Sequence, residues 1–287
     1  MTAPALELRD LRKVFGERVV LGGINFQVRH GEVVALLGKN GAGKTTILNC
    51  ISGALIPSGG DIRFAGSSLL PESPLRRRFG ILVDAVFFDY LTVEENLHGC
   101  LMASGVLDRG ERERRISRML ELVGLSDRIK KKVRTFSFGM RQRLGLAQAL
   151  MADHEVLLLD EPLVGLDPPG RELFKKILVD AAREERKAVL FSSHELADVS
   201  EVCDRVVMIR GGEVVYDNPY SYDRGVTLRV ARPLPPHRNG RVSADGREIS
   251  FSSVQDFSAA IGSNLFDGNE IVDISVEVHE LNRLFQG

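Results

Sequence analysis

Short apolar runs bounded by glycine or charge recur along this chain. Val33–Leu37, Val156–Leu159, Val189–Phe191 and Val206–Ile209 are almost unbroken in Val, Leu, Ile and their like. Runs that are apolar on both faces predict strands buried inside a parallel sheet. Residues 6–28 read differently. Around Leu6-Glu7-Leu8 and Ile24-Asn25-Phe26 they alternate apolar and polar, which predicts strands with one wet face. Residues 92–152 are rich in helix formers. Within them, Glu111–Glu121 puts Ile116, Met119 and Leu120 on one side and arginines elsewhere, the pattern of a helix with one buried stripe. Gly211-Gly212, set before Glu213–Tyr216, predicts a tight turn.

Beyond Asp217 the pattern changes. Pro219, Pro233, Pro235 and Pro236 mark a linker-like stretch around a predicted strand at Val226–Val230. Asp245-Gly246 between Val242/Ala244 and Ile249/Phe251 signals a two-residue hairpin. Val254, Phe257 and Ile261 predict a short amphipathic helix, Ile271–Ile274 a strand, and Val278, Leu281, Leu284 and Phe285 a final helix. The expected division is therefore 1–220, with a helical subdomain at about 92–152, and a small α/β domain at 221–287. The second part carries no recognisable site chemistry. Packing, dimer support and regulation all remain open for it.

Composition narrows the class. The 287 residues are enough for one large α/β domain and a small one. A net charge of −1 gives bulk attraction to nucleic acid no support, so no nucleic-acid partner is expected. Cys50, Cys100 and Cys203 are widely spaced and odd in number, which suits reduced thiols in a reducing compartment. No signal peptide is expected before Leu6, and no apolar run approaches the length of a membrane span.

The chemistry concentrates after the first buried strand. Residues 38–46 read Gly-Lys-Asn-Gly-Ala-Gly-Lys-Thr-Thr, which fits the phosphate-loop pattern GxxxxGK followed by Ser or Thr. Gly38, Gly41 and Gly43 let the backbone curl so that N–H groups, those of Asn40, Ala42 and Thr46 included, face a phosphate. The helix that follows adds its positive end. Lys44 adds a charge at the β- and γ-phosphates, and Thr45 a hydroxyl for Mg²⁺. Downstream, Val156–Leu159 ends in Asp160-Glu161. Carboxyl ends of strands are where open α/β sheets gather their catalytic groups. Asp160 is placed to hold Mg²⁺, and Glu161 to orient or deprotonate a water attacking the γ-phosphate.

Further segments resemble the ABC-type ATPases. Phe136-Ser137-Phe138-Gly139-Met140-Arg141-Gln142-Arg143 resembles their signature motif, Gly165-Leu166-Asp167 their D-loop, and Phe191-Ser192-Ser193-His194-Glu195 their switch-histidine segment. Phe15 stands where the family stacks a ring on adenine. The order and spacing agree over residues 6–217. The resemblance implies a RecA-like core with an N-terminal antiparallel β-subdomain and an inserted helical subdomain. It also implies ATP hydrolysis with Mg²⁺, a homodimer or second ATPase subunit, and separate membrane permease subunits. The chain would then sit at the cytoplasmic face of the cell membrane. By the same resemblance, Ser137 and Gly139 contact the γ-phosphate held by the other subunit, Asp167 lies at the seam, and His194 contacts γ-phosphate in its own site.

Five positions depart from the family pattern: Phe136, Phe138 and Met140 in the signature, Asp84 and Val164. Asp84 stands where a Gln is usual; its carboxylate still suits Mg²⁺ but donates no hydrogen bond when ionised. An acid there resembles ATPases that export, or confer immunity to, antimicrobial peptides. Val164 replaces a frequent Ser. Phe138 in the signature is expected to be a packed core residue. The favoured function is the ATPase subunit of an exporter of antimicrobial peptide, drug or other amphiphile. A soluble ABC ATPase without a permease and a regulatory nucleotide binder are the alternatives. Long coiled-coil insertions and a second ATPase half, found in DNA-maintenance and translation types, are absent.

Overall fold

The computed structural model describes residues 3–70, 72–83, 86–220, 226–236, 240–251, 259–260 and 271–276. The chain divides into two compact units, Met1–Tyr220 and Ser221–Gly287.

The first unit holds two sheets. Strands β1 (Leu6–Phe15) and β2 (Arg18–Val28) form an antiparallel ribbon, extended through β4 (Gly59–Phe64) and β5 (Ser67–Ser68) in the order β2-β1-β4-β5. The alternation at Leu6, Leu8 and Leu11 is broken by a register shift at Asp10, which has a left-handed backbone with φ 49°. The larger sheet runs β10-β9-β3-β8-β7-β6. Its parallel strands are β3 (Val33–Leu37), β6 (Phe79–Leu82), β7 (Val156–Leu159), β8 (Ala188–Ser193) and β9 (Arg205–Arg210). Every residue of β3, β7 and β8 is buried, as the unbroken apolar sequence of β3 and β7 requires, while β8 ends in the buried pair Ser192-Ser193. Strand β10 (Glu213–Pro219) returns antiparallel through Gly211-Gly212. Both glycines have positive φ, the geometry that matches the twist of a hairpin.

One core joins these sheets. Leu6, Leu11, Ile24 and Phe26 meet Leu36, Leu158, Leu190 and Val207, with Ile47, Leu48 and Ile51 of helix α1 (Lys44–Ser52) in the same cluster. The helix that follows the phosphate loop is thus anchored by its apolar face, so the loop rests on a rigid base.

The inserted block contains α2 (Val93–Ala103), α3 (Arg109–Leu122) and α4 (Phe138–Leu150). Helix α2 starts at a capping box. Thr92 Oγ1 accepts from the Glu95 N–H at 3.2 Å while Glu95 Oε2 accepts from the Thr92 N–H at 2.7 Å. In α3, Ile116 and Leu120 are buried and the arginines pair with acids on the outer faces. Helix α5 (Pro168–Arg183) follows β7, and the short α6 (Leu196–Ser200) follows β8.

The second unit has a four-stranded sheet in the order β12-β13-β11-β14, from β11 (Val226–Val230), β12 (Arg241–Val242), β13 (Glu248–Phe251) and β14 (Ile271–Val276). Leu228, Val230, Ile249 and Phe251 make its core. The 245–246 hairpin forms, but its loop is longer than the dipeptide predicts. The Ser243 N–H donates to Glu248 O at 2.8 Å, and the Gly246 N–H closes a turn on Ser243 O at 2.9 Å. Ser243 Oγ also accepts from the Glu248 N–H at 2.9 Å, so a side chain rather than the strand ladder ends this hairpin. The helices expected around Val254–Ile261 and Val278–Phe285 lie outside the described residues, apart from the helical pair Ala259 and Ala260, of which Ala260 is buried.

Candidate nucleotide site

The phosphate loop leaves the carboxyl end of β3 and enters α1. Its glycines are required by contact as well as conformation. A Cβ at Gly38 would lie 2.5 Å from Ile209 O, and one at Gly43, whose φ is 110°, would lie 2.8 Å from Leu21. Strand β9 and strand β2 therefore press the loop from behind and turn its N–H groups outward.

In front of it lies a cavity of about 450 Å³ lined by Phe15, Arg18, Val20, Asn40, Gly41, Gly43, Lys44, Thr45, Thr46 and Glu161. Phe15 is half exposed and offers a free ring face, while the Lys13 ammonium sits 4.8 Å from its centroid. Gly38 and Ala42 shape the loop from beneath rather than line the cavity. Arg18 and Val20 were not singled out from sequence. The register Phe15↔Arg18 across the β1–β2 turn is what brings Arg18 beside the ring.

Lys44 is buried to 6% exposure, with its ammonium donating to Gly38 O at 2.7 Å and lying 3.3 Å from Glu161 Oε1. The other Glu161 oxygen meets His194 Nδ1 at 2.8 Å. Residues 44, 161 and 194, far apart in sequence, thus form one chain of charged and polar contacts. Glu161 has φ 45°, a left-handed conformation unusual for a side-chain-bearing residue. It directs the carboxylate away from the β7 ladder and into the site.

Thr45 Oγ1 donates to Asp160 Oδ2 at 2.7 Å. The hydroxyl and carboxylate are hard oxygen donors. Mg²⁺ accepts such a pair readily when substrate phosphates and water complete its shell. Among the described residues no cluster of three or more His, Cys, Asp or Glu exists, so these residues offer no all-protein metal cage. The donor set fits Mg²⁺ shared with phosphate. The proposed metal ligand Asp84 lies outside the described residues.

Sequence reading treated Ser192 as a neighbour of His194 and no more. The structure gives it a distinct place. Fully buried on β8, its Oγ donates to Asp160 Oδ1 and accepts from the Glu161 N–H at 2.8 Å.

The signature residues are not brought to this cavity. Ser137, Gly139 and Asp167 are absent from its lining. Ser137 caps α4, its Oγ accepting from the Met140 N–H at 3.3 Å. Gly139 packs so closely that a Cβ there would lie 2.9 Å from Gly165 O. Arg143 Nη2 donates to Asp167 Oδ1 at 2.6 Å. The expectation for Phe138 is overturned: it is 58% exposed. As the first residue of α4 it lies outside the buried stripe, and its ring covers the backbone of Gly165 instead.

A glycine loop between a buried parallel strand and a helix, facing an acidic strand end, defines a phosphate-loop nucleotide-binding fold. Comparison with known proteins makes the class specific. A profile of the ABC transporter family matches residues 21–164. The uncharacterised ABC transporter ATP-binding protein YdbJ of Bacillus subtilis is 33% identical over the whole chain and 89% of its own length. The bacitracin transport ATP-binding protein BcrA of Bacillus licheniformis is 34% identical over 76% of this chain and 70% of its own. The methionine import ATP-binding protein MetN of Rhizobium johnstonii is 36% identical over 87% and 73%. A solved ATP-binding subunit of an ABC transporter superposes with TM-score 0.69 at 32% identity, covering 75% of this chain and 90% of that one. The dimeric post-hydrolysis cassette MJ0796, bound to ADP and phosphate, shares the fold with TM-score 0.70 at 24% identity over 75% and 99%. This chain belongs to the ABC transporter ATP-binding family and is an ABC-type ATPase. Among the described residues no helix is long and apolar enough to cross a membrane.

Proposed function

We propose that residues 1–220 bind ATP and hydrolyse it to drive a separate membrane permease, most directly as an exporter subunit at the cytoplasmic face of the membrane. The observation that carries the hydrolytic reading is the contact of Glu161 with both Lys44 and His194 at the mouth of the phosphate-loop cavity. Phe15 supplies the adenine platform, and the loop amides with Lys44 hold the β- and γ-phosphates. Thr45 and Asp160 would hold Mg²⁺, which would neutralise charge on the phosphate oxygens. Glu161 aligns a water against the γ-phosphorus and takes its proton as the new P–O bond forms and the bridging oxygen leaves with ADP. His194, on the other Glu161 oxygen, keeps that carboxylate aimed and stands ready for the γ-phosphate.

Ser137 and Gly139 cap the γ-phosphate of a second copy, or of a paired ATPase subunit, placed head to tail. The likeness of Phe136–Arg143 to the family's signature motif, and the two equivalent sites that a two-fold pairing makes, support this sharing. The export reading rests on the acidic residue Asp84 and on likeness to BcrA. The likeness to MetN favours import as a second reading.

Glu161→Gln keeps the side chain's shape and removes the base. ATP should still bind, turnover should fall by about 10²–10⁴, and an ATP-bound dimer should accumulate on size-exclusion chromatography. Turnover at the native rate would move the base elsewhere. Co-purification with a permease in detergent, followed by transport in inverted membrane vesicles, tests the coupling and its direction. Uptake into inverted vesicles supports export, and release from them supports import.

A further inference from the structure

Strand β8 carries one buried hydroxyl whose two hydrogen bonds both end on the acidic step of β7. Ser192 is fully buried. Its hydroxyl proton is committed to Asp160 Oδ1, and one of its lone pairs takes the Glu161 N–H at 2.8 Å. A strand through an apolar core has no packing need for a hydroxyl there. The residues before it, Val189, Leu190 and Phe191, are buried and apolar, and the buried Ser193 after it turns its hydroxyl to the Glu195 backbone instead.

The two acceptor–donor pairs fix different things. Asp160 is held at both oxygens, Oδ1 by Ser192 and Oδ2 by Thr45 at 2.7 Å. With both bonds in place the carboxylate plane cannot rotate freely. Glu161 stands immediately after, where the backbone turns into the left-handed region at φ 45°. That conformation is strained for a side-chain-bearing residue, so something must over-determine it. The turn takes the Glu161 N–H out of register with the strand ladder, and Ser192 Oγ receives it. The same turn points the Glu161 carboxylate at Lys44 and His194.

We propose that Ser192 is a positioning residue for ATP hydrolysis, fixing the Asp160 carboxylate and holding the strained turn that aims Glu161. This rests on the assignment of Asp160 and Glu161 made above. The role is separable from nucleotide capture. The phosphate loop and Lys44 hold the polyphosphate without Ser192, because Lys44 is fastened to Gly38 O at 2.7 Å and the loop is braced by β2 and β9. Removing the hydroxyl should therefore spare metal-free ATP affinity and damage what depends on the two acids.

The test uses the full chain as wild type, Ser192→Ala, Ser192→Thr and Glu161→Gln. Affinity for a fluorescent ATP analogue is titrated with chelator and with graded Mg²⁺, beside steady-state ATPase rates. Ser192→Ala should keep metal-free affinity within about twofold and need several-fold more Mg²⁺ to reach the metal-bound affinity. Its kcat should fall about tenfold or more, a tenfold loss being about 1.4 kcal/mol of transition-state stabilisation. Ser192→Thr, which retains the hydroxyl, should recover most of both. Native kcat and native Mg²⁺ dependence in Ser192→Ala overturn the proposal. So does an equal loss of metal-free binding, which marks a packing defect, and so does failure of Thr to restore either property. Glu161→Gln separates the two levels: if it hydrolyses normally, the site assignment itself fails. If it is inactive while Ser192→Ala is native, only the role of Ser192 fails.

Discussion

The phosphate-loop half of the site and the signature half are built from the same kinds of material, a helix start, glycines and a few charges, yet they are finished to different degrees within one chain. In the first half the groups converge. Lys44, Thr45, Asp160, Glu161, Ser192 and His194 come from three separate stretches and are linked by direct contacts. In the second half Ser137 satisfies only its own helix, and Phe138 stays largely exposed. A group that serves its own chain is held by it. A group that serves a neighbouring chain is presented outward with its local bonds satisfied.

The halves nevertheless touch each other from behind. Gly139 packs on Gly165, Arg143 binds Asp167, and Gln142 Nε2 approaches Glu161 O at 3.5 Å. Helix α4 is thereby tied to the loop that leaves β7. Glu161 and the signature segment are thus joined by a short chain of contacts within one chain.

Three substitutions break or sharpen this contrast. The largest effect should come from Lys44→Ala, which removes the charge at the centre of the converged half. Charge-assisted contacts to phosphate contribute about 1.5–3 kcal/mol, so ATP affinity by calorimetry should fall about 10- to 100-fold and hydrolysis should be lost. Unchanged affinity would remove the phosphate-loop assignment.

Ser137→Arg acts on the outward half. It should abolish ATP-driven dimerisation, read by light scattering, while the monomer keeps its ATP affinity to within about threefold. An equally large loss of monomer binding would mean that the two halves are not separate in function. Mixed with Lys44→Ala chains, it can rebuild at most one complete composite site per heterodimer, which an activity titration would show.

The smallest effect is expected from Arg143→Ala, which cuts the link between halves. The Arg143–Asp167 pair is partly exposed, so its direct worth is about 0–1 kcal/mol. ATP affinity should be unchanged, and cooperativity of hydrolysis with ATP concentration should weaken. A Hill coefficient equal to wild type would show that the halves communicate by another path.

Much of this site was legible because its residues sit in patterned places. The glycines and Lys44 form one contiguous motif, and Asp160-Glu161 end an apolar run whose burial follows from its composition. Arg18 escaped notice because its position beside Phe15 depends on a two-residue turn at Gly16-Glu17, which the sequence reading did not assign. Phe138 was misjudged for a related reason. An aromatic residue in a helical segment reads as core, but at the first helical position the side chain falls before the buried stripe begins.

The sequence alone determined the order of elements, the phosphate loop, the acidic strand end and the membership of a family. These follow from periodicity, from glycine at crowded or left-handed positions, and from chemistry confined to short motifs. Only the tertiary structure decided which groups meet. It placed β8 beside β7, and so put Ser192 on both acids and His194 on Glu161. It set the left-handed turn at Glu161 and the exposure of Phe138. Strand adjacency is settled by the packing of the whole sheet, and residues thirty positions apart in sequence carry no local signal of the contact they will make.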